Sequence, residues 1–413
     1  MSFDIRSKFA DPDVRAKSLL AWTCVLLALF FAAQPFSRNL TMDATVALAV
    51  TGLFFIPGMY KRREFHRHDV VLLTACIAVP VVTLLAWFAS AYFDGGFAPL
   101  KIESRFLLLP LALLAFYRAG LTLPTLTAAL LIGSVSYAYL TWQWPAHGRV
   151  SGDENAVTFG NGAFLLSAIS AALVLTHKHR IWQLLALASA AGYAYTAYRS
   201  GTRGSFLAVP CLGLLLFWVA SKPQKIILMV VAFALAIGFT QTSLYDGFKR
   251  GFDGFSRYME HNNAGGSTGQ RLEQWQAAWC FFKEDPILGK GPHQFQQAIQ
   301  DEARTCDIRV TNHKGYYSQA HSYYFNTLAT QGLLGLLAGL VFFAIVCWYA
   351  YRTQHPARFL VYTAVISMLA YGITVDLFFH RYNVDKHLLL LAALLAICLH
   401  PRAQTQKEAS PCA

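Results

Sequence analysis

The sequence predicts an all-α polytopic membrane protein of about twelve transmembrane helices, with a helical periplasmic loop between the ninth and tenth. Three observations predict it. Hydrophobic residues make up 55% of the 413-residue chain against 14% charged. Mean hydropathy is +0.40. Uncharged apolar runs of about 20 residues, the length that crosses a bilayer core, follow one another along nearly the whole chain. Inside lipid every backbone amide must find its partner within its own segment, so such runs must be helices.

The spans fall at roughly 18–36, 41–59, 69–91, 105–120, 122–141, 157–176, 181–198, 204–220, 224–241, 321–351, 358–378 and 387–400. Span 105–120 is short and carries Pro110. The chain thus divides into transmembrane helices 1–9 (residues 1–241), a large loop (242–320), and helices 10–12 with a tail (321–413). Residues 1–17 are charged and polar, and the first span lacks a small-residue cleavage site, so that helix is expected to act as a signal anchor.

Orientation follows from the loops. With the N-terminus in the cytoplasm, the inward segments hold seventeen Lys and Arg, and the short outward loops hold eight. That is the positive-inside bias, and it puts both termini in the cytoplasm. The same count explains the net charge of +12: the inward segments carry +11, while the long loop balances nine bases with nine acids. No excess is left for a nucleic-acid partner.

The long loop exceeds the usual connection length, which marks it as functional or disordered. Residues 271–284 predict an amphipathic helix with Leu272, Trp275, Trp279 and Phe282 on one face. A Gly-Lys-Gly-Pro turn at 289–292 follows, with Pro292 suited to the first position of a second helix that carries Phe295 and Ile299 inward. Residues 261–267 read as a flexible link. Cys280 and Cys306 are the two cysteines of this loop, where a disulfide can form; spacing alone leaves their pairing open.

Three elements could carry chemistry. The turn Arg199-Ser-Gly-Thr-Arg203-Gly-Ser205 places two arginines outside, against the positive-inside bias, where a helix begins; this suits a phosphate, or lipid headgroups if the arginines only snorkel. Thr268-Gly-Gln-Arg271 opens the loop helix with a cation disfavoured by the helix dipole, unless an anion or a neighbour such as Glu273 offsets it. His321 stands at the start of the tenth span, where it can serve as a general base or a structural histidine. Gly332, Gly335 and Gly339 downstream would let a neighbouring helix approach closely. His293 and His313 also lie outside, but no His, Cys and carboxylate set has metal-ligand spacing, so no metal site and no cofactor are inferred.

Ser200-Gly-Thr-Arg203-Gly, Gly269-Gln-Arg271 with Trp275, Pro286-Ile-Leu-Gly289-Lys-Gly291-Pro292, and His321-Ser322 followed by Gly332 and Gly335 occur in that order. The combination resembles the bacterial O-antigen ligase family, within the ligase and polymerase superfamily. The resemblance implies metal-independent, inverting transfer of O-antigen from undecaprenyl pyrophosphate to lipid A-core at the periplasmic face of the inner membrane. It implies Arg203, Arg271 and His321 as the catalytic set, with Arg199 the alternative to Arg203 at the pyrophosphate. The partners are then the lipid-linked donor, lipid A-core and membrane lipids. An O-antigen polymerase or a protein O-oligosaccharyltransferase would share the donor and differ in acceptor. A lipid or sugar flippase is the reading from another class, disfavoured by the absence of a half-to-half repeat and by few ionisable residues within spans.

Overall fold

A computed structural model describes residues 12–57, 66–91, 100–145, 148–219, 225, 243–261, 264–302, 306 and 317–399. Everything described is helix or connection. Before the loop the described residues form α1 Pro12–Ala33, α2 Arg38–Leu53, α3 Arg67–Ala89, α4 Leu108–Ala119, α5 Leu123–Gln143, α6 Ala156–Thr176, α7 Arg180–Arg199 and α8 Ala208–Val219, with a single helical turn at Leu100–Glu103. The loop holds α9 Ser243–His261, α10 Gly266–Glu284 and α11 Phe295–Glu302, and α12 Tyr323–Arg352, α13 Arg358–Tyr371 and α14 Arg381–Leu399 complete the fold.

Among the described residues six helices are long and apolar enough to cross a membrane: α1, α3, α5, α6, α12 and α14. Gly204–Trp218 and Arg358–Tyr371 are shorter apolar helices. The remaining expected spans among the described residues coincide with α2, α4 and α7 in position. The span expected at 224–241 lies, apart from Lys225, outside the described residues. Pro110 is accommodated because a 3-10 turn, Ser104–Leu107, feeds α4 and leaves the proline in its first turn, where a missing N–H costs nothing.

Helix α14 is the centre of the bundle. It is buried along 94% of its apolar window, and α2, α4 and α13 pack around it. It begins at Arg381, six residues before the span expected at 387. Asn383, Asp385, Lys386 and His387 are therefore inside the protein, where the sequence pattern suggests a loop. Each charge there has a partner. Lys386 Nζ sits 2.7 and 3.0 Å from the two carboxylate oxygens of Glu154, and Arg105 pairs with Asp385. A charge taken out of water must be neutralised locally, so these pairs set which helix ends can meet. The interior holds more ionisable groups than the sequence reading allowed, and these four are closed into pairs.

The loop helices dock on α12. Ala277, Ala278 and Phe281 of α10 join Phe295, Ala298 and Ile299 of α11 and Ala329 of α12 in a second apolar core. Phe295 and Ile299 point inward as expected, but α11 starts at Phe295, so Pro292 belongs to the turn before it. The expected apolar face of α10 is not the buried one: Trp279 is 49% exposed. Small residues allow the close approach to α12, which turns Trp279 and Phe282 outward as a mutually packed pair. The helix also begins at Gly266, earlier than expected, and His261 closes α9, so only residues 262–265 separate two helices. Cys280 and Cys306 form a disulfide.

Helix α12 is broken at Gly332, whose φ of 64° and ψ of −162° leave the helical region. The turn 286–291 fills the break. Lys290 and Gly291 N–H donate to the Ala329 and Thr330 carbonyls at 2.9 and 3.0 Å, while Leu333 and Leu334 N–H donate back to Pro286 and Ile287 at 2.9 and 3.2 Å. A Cβ at Gly332 would lie 2.3 Å from the Ile287 carbonyl, so only glycine fits. The expectation that Gly332, Gly335 and Gly339 admit a neighbouring helix is thereby corrected. Gly332 receives the loop turn, Gly335 lies under Gln331, and Gly339 lies under the phenol of Tyr323 from the same helix.

Replacing Lys386 by Met should strand the Glu154 carboxylate and cost about 3–5 kcal/mol. The double variant Lys386→Met, Glu154→Gln should recover most of that loss. Thermal unfolding of the purified protein in detergent measures both; equal loss in the single and double variants would mean the pair is not the anchor.

Candidate functional site

The start of α6, the connection from α13 into α14 and the loop enclose a cavity of about 380 Å³. Its floor is the start of α6 (Asn155–Thr158) and the segment 375–383, its roof is α10 with Tyr317 and Gln319, and Arg149, Arg271 and His321 line it.

The turn 199–205 is held from three sides. Ser200 and Thr202 are buried, with Ser200 Oγ donating to Thr202 Oγ1 at 2.9 Å and Thr202 Oγ1 donating to the Ala156 carbonyl at 2.9 Å. Gly201 takes φ +63° and Arg149 passes over it, Nε donating to the Ser200 carbonyl at 2.7 Å. The Ser-Gly-Thr core of the motif is a backbone brace, and the arginines are what it presents. They diverge. Arg199 Nη2 donates to the Pro145 carbonyl at 3.2 Å. Arg203 reaches across to the loop, Nη1 donating to the Gly247 carbonyl and Nη2 to Ser267 Oγ at 3.3 Å.

Arg271 lies in the second turn of α10, since that helix starts at Gly266. The dipole argument made from sequence therefore loses its force. Glu273, its expected ion-pair partner, instead accepts the Tyr317 hydroxyl at 3.2 Å. Gly269 serves packing rather than looseness: a Cβ there would lie 2.8 Å from the Ala264 backbone. Among the described residues no carboxylate lies within ion-pair distance of Arg149, Arg203 or Arg271. Burial lowers the pKa of each, and the arginines depress one another: Arg203 and Arg149 act on Arg271, and Arg250 and Arg149 act on Arg203. Guanidinium groups gathered without an ion-pair partner have the donor geometry that suits phosphate or carboxylate oxygens.

His321 adopts φ +47°, a left-handed conformation uncommon outside glycine and several-fold enriched in histidine. Its flanks enforce it. Trp275 Nε1 donates to the Ala320 carbonyl at 3.1 Å, the Ala320 N–H donates to Asn326 Oδ1 at 3.0 Å, and Asn326 Nδ2 donates to Asp376 Oδ2 at 2.6 Å. Tyr323 N–H donates to the Gly372 carbonyl at 2.8 Å. His321 borders the cavity and is exposed there. Desolvation first, then the charges of Arg271 and His380, push its pKa down to about 4. It is therefore a neutral base at physiological pH.

Arg149, Gln274, His380 and Asn383 escaped the sequence reading, although Arg149 belongs to the same outward set of bases as Arg203. Gln274 and Asn383 are each 3% exposed, and with Gln319 they aim amide oxygens that have no hydrogen-bond partner among the described residues. Such acceptors suit hydroxyl donors of a ligand. His293 faces Phe379 at 5.5 Å between ring centroids, and burial pushes its pKa down to about 4. His313 lies outside the described residues. Cys280, Glu284 and Cys306 approach one another, but the disulfide leaves no thiolate to hold a metal.

Fold and cavity define a multi-pass membrane protein with a cavity lined by arginines and a histidine beneath a helical cap. Residues 184–338 match the family model described as O-antigen ligase, which bears out the family resemblance carried by the motifs at Arg203, Arg271 and His321. A protein of Haemophilus influenzae described as uncharacterized is similar at 22% identity over 346 residues, covering 79% of this chain and 84% of the relative.

His321 should react with diethylpyrocarbonate as a neutral imidazole at pH 6 already, its rate flat from pH 6 to 8. An ordinary histidine titrates near 6.5. Peptide mapping by mass spectrometry reads this, and a rate that doubles or more across that interval would contradict the lowered pKa.

Proposed function

We propose that the chain is an O-antigen ligase that transfers O-antigen from undecaprenyl pyrophosphate to a sugar hydroxyl of lipid A-core. The observation that carries this reading is that Arg149, Arg271 and His321 line one polar cavity, with Arg203 hydrogen-bonded to Ser267 at its edge, and that Arg203, Arg271 and His321 lie on the segment that matches the ligase family. Arg203, Arg271 and Arg149 hold the donor pyrophosphate. Arg199, drawn off to Pro145, is the weaker candidate. The acceptor hydroxyl gives its proton to a ring nitrogen of His321 and attacks the anomeric carbon. The bond from that carbon to the phosphate oxygen breaks, and the pyrophosphate leaves with the electron pair, its charge held by the arginines. A single displacement inverts the anomeric carbon. The unpartnered amide oxygens of Gln274, Gln319 and Asn383 receive sugar hydroxyls.

The same reading places twelve spans in the bacterial inner membrane, both termini in the cytoplasm, and the 242–320 loop between membrane units 1–241 and 321–413. The loop disulfide supports the periplasmic side, since such bonds persist in oxidising compartments. Polymerase and protein O-oligosaccharyltransferase activities differ only in the acceptor. Deletion of the gene that leaves the lipopolysaccharide core intact, removes its long-chain bands and accumulates lipid-linked glycan on the periplasmic side distinguishes ligation from flipping.

Arg203→Ala or Arg271→Ala should lower turnover by about 10²–10³-fold and weaken donor binding, with Lys restoring only part because it lacks the bidentate fork. His321→Ala should lower single-turnover rate by about 10²–10⁴-fold with donor affinity nearly unchanged. Near-native turnover in His321→Ala would remove the base from the mechanism. Activity of the purified enzyme should also persist in excess EDTA; loss that Mg²⁺ or Mn²⁺ restores would overturn charge neutralisation by arginine alone.

A further inference from the structure

Helix α9 carries three different faces. Gly247, Gly251 and Gly254 lie on the site: a Cβ at 247 would be 3.0 Å from Arg203 Cδ, one at 251 would be 3.3 Å from its Nη1, and one at 254 would be 3.2 Å from Thr268 Cβ. Tyr245, Phe248, Phe252, Phe255 and Met259 recur at alternating spacings of three and four and are 37–72% exposed. Asp246, Lys249, Arg250, Asp253, Arg257 and Glu260 make up the third face. At about 100° per residue these stripes stand roughly a third of a turn apart.

Five large apolar side chains in one exposed stripe do not belong in water. What covers them is indicated by the turn on which α9 rests. Arg203 is preceded by Tyr195 and Tyr198 at the end of α7, 43% and 42% exposed. It is followed by Leu207, at the end of the 3-10 turn Gly204–Leu207, and Val209, at the start of α8, 40% and 47% exposed. The exposed apolar belt of the membrane helices therefore reaches the turn that α9 covers, and its aromatic members suit the headgroup level. A helix that separates a bulky apolar stripe from a charged face is built to lie in such an interface.

We propose that α9 is an in-plane interfacial helix whose stripe Tyr245–Met259 inserts into the boundary between headgroups and acyl chains of the leaflet at the cavity end. Its glycine face closes over Arg203 while its charged face meets water and headgroups. A phosphate borne by a lipid at that depth then meets the Arg203 guanidinium without leaving the bilayer. The proposal needs only that the chain spans a membrane, and it stands or falls independently of glycan transfer.

The test uses the full chain in phospholipid nanodiscs, with 4-trifluoromethylphenylalanine at position 252, at 255 or, as the charged-face control, at 260. Fluorine NMR line broadening by doxyl-labelled lipid is compared with broadening by a water-soluble gadolinium chelate. Positions 252 and 255 should broaden several-fold more with the labelled lipid, and position 260 several-fold more with the chelate. Dominant broadening by the chelate at 252 and 255 would overturn the proposal, because the stripe would then face water. Weak broadening by both agents would overturn it equally, because the stripe would then pack against protein, such as a second copy of the chain.

Discussion

The constraint on which the rest depends is the burial of α14 together with its charges. A helix enclosed on all sides leaves no route by which Lys386 or Asp385 can reach water, so Glu154 and Arg105 must be brought to them. Glu154 precedes α6 and Arg105 precedes α4. The two pairs therefore align the cavity-side ends of three helices. Removing one partner of such a pair leaves an uncompensated charge, which is why pairs of this kind act on geometry more than on net stability. The floor of the cavity, Asn155–Thr158 beside Val375–Asn383, is the direct product of that alignment.

The roof depends on a different device. The turn 286–291 is joined to α12 by backbone hydrogen bonds on both sides of the break at Gly332. Loop and membrane helix thus become one unit just downstream of His321. Backbone bonds of this kind do not depend on side-chain rotamers, so they fix position firmly. Trp275 ties α10 to the residue before His321, and stacks on Phe325 with centroids 5.0 Å apart. The helix that bears Arg271 is thereby held at a set distance from the imidazole.

Electrostatics then follow from placement. Arg149, Arg203 and Arg271 come from three separate elements, and gathering them costs Coulombic energy that no carboxylate offsets. The fold tolerates this because the braces that hold them are uncharged: buried hydroxyls at Ser200 and Thr202, a carbonyl at Gly247, glycines where chains cross. An anion entering the cavity relieves the repulsion. Desolvation first and the charge of Arg271 second hold the pKa of His321 down, so the imidazole is coupled through space to one of the three guanidinium groups.

The sequence by itself determined that the chain is helical and apolar enough to cross a membrane repeatedly, because run length and charge exclusion are local properties. It also carried the family resemblance: Arg203, Arg271 and His321 are legible as outward cations and a boundary histidine in a recognisable order. Only the tertiary structure decided that Arg149 joins them and Arg199 turns away, since both are equivalent in a count of outward bases. It also decided the partners of Lys386 and Asp385, the pairing of Cys280 with Cys306 and the role of Gly332. Each of these depends on segments brought together from far apart in sequence, and periodicity and composition carry no record of which segments meet.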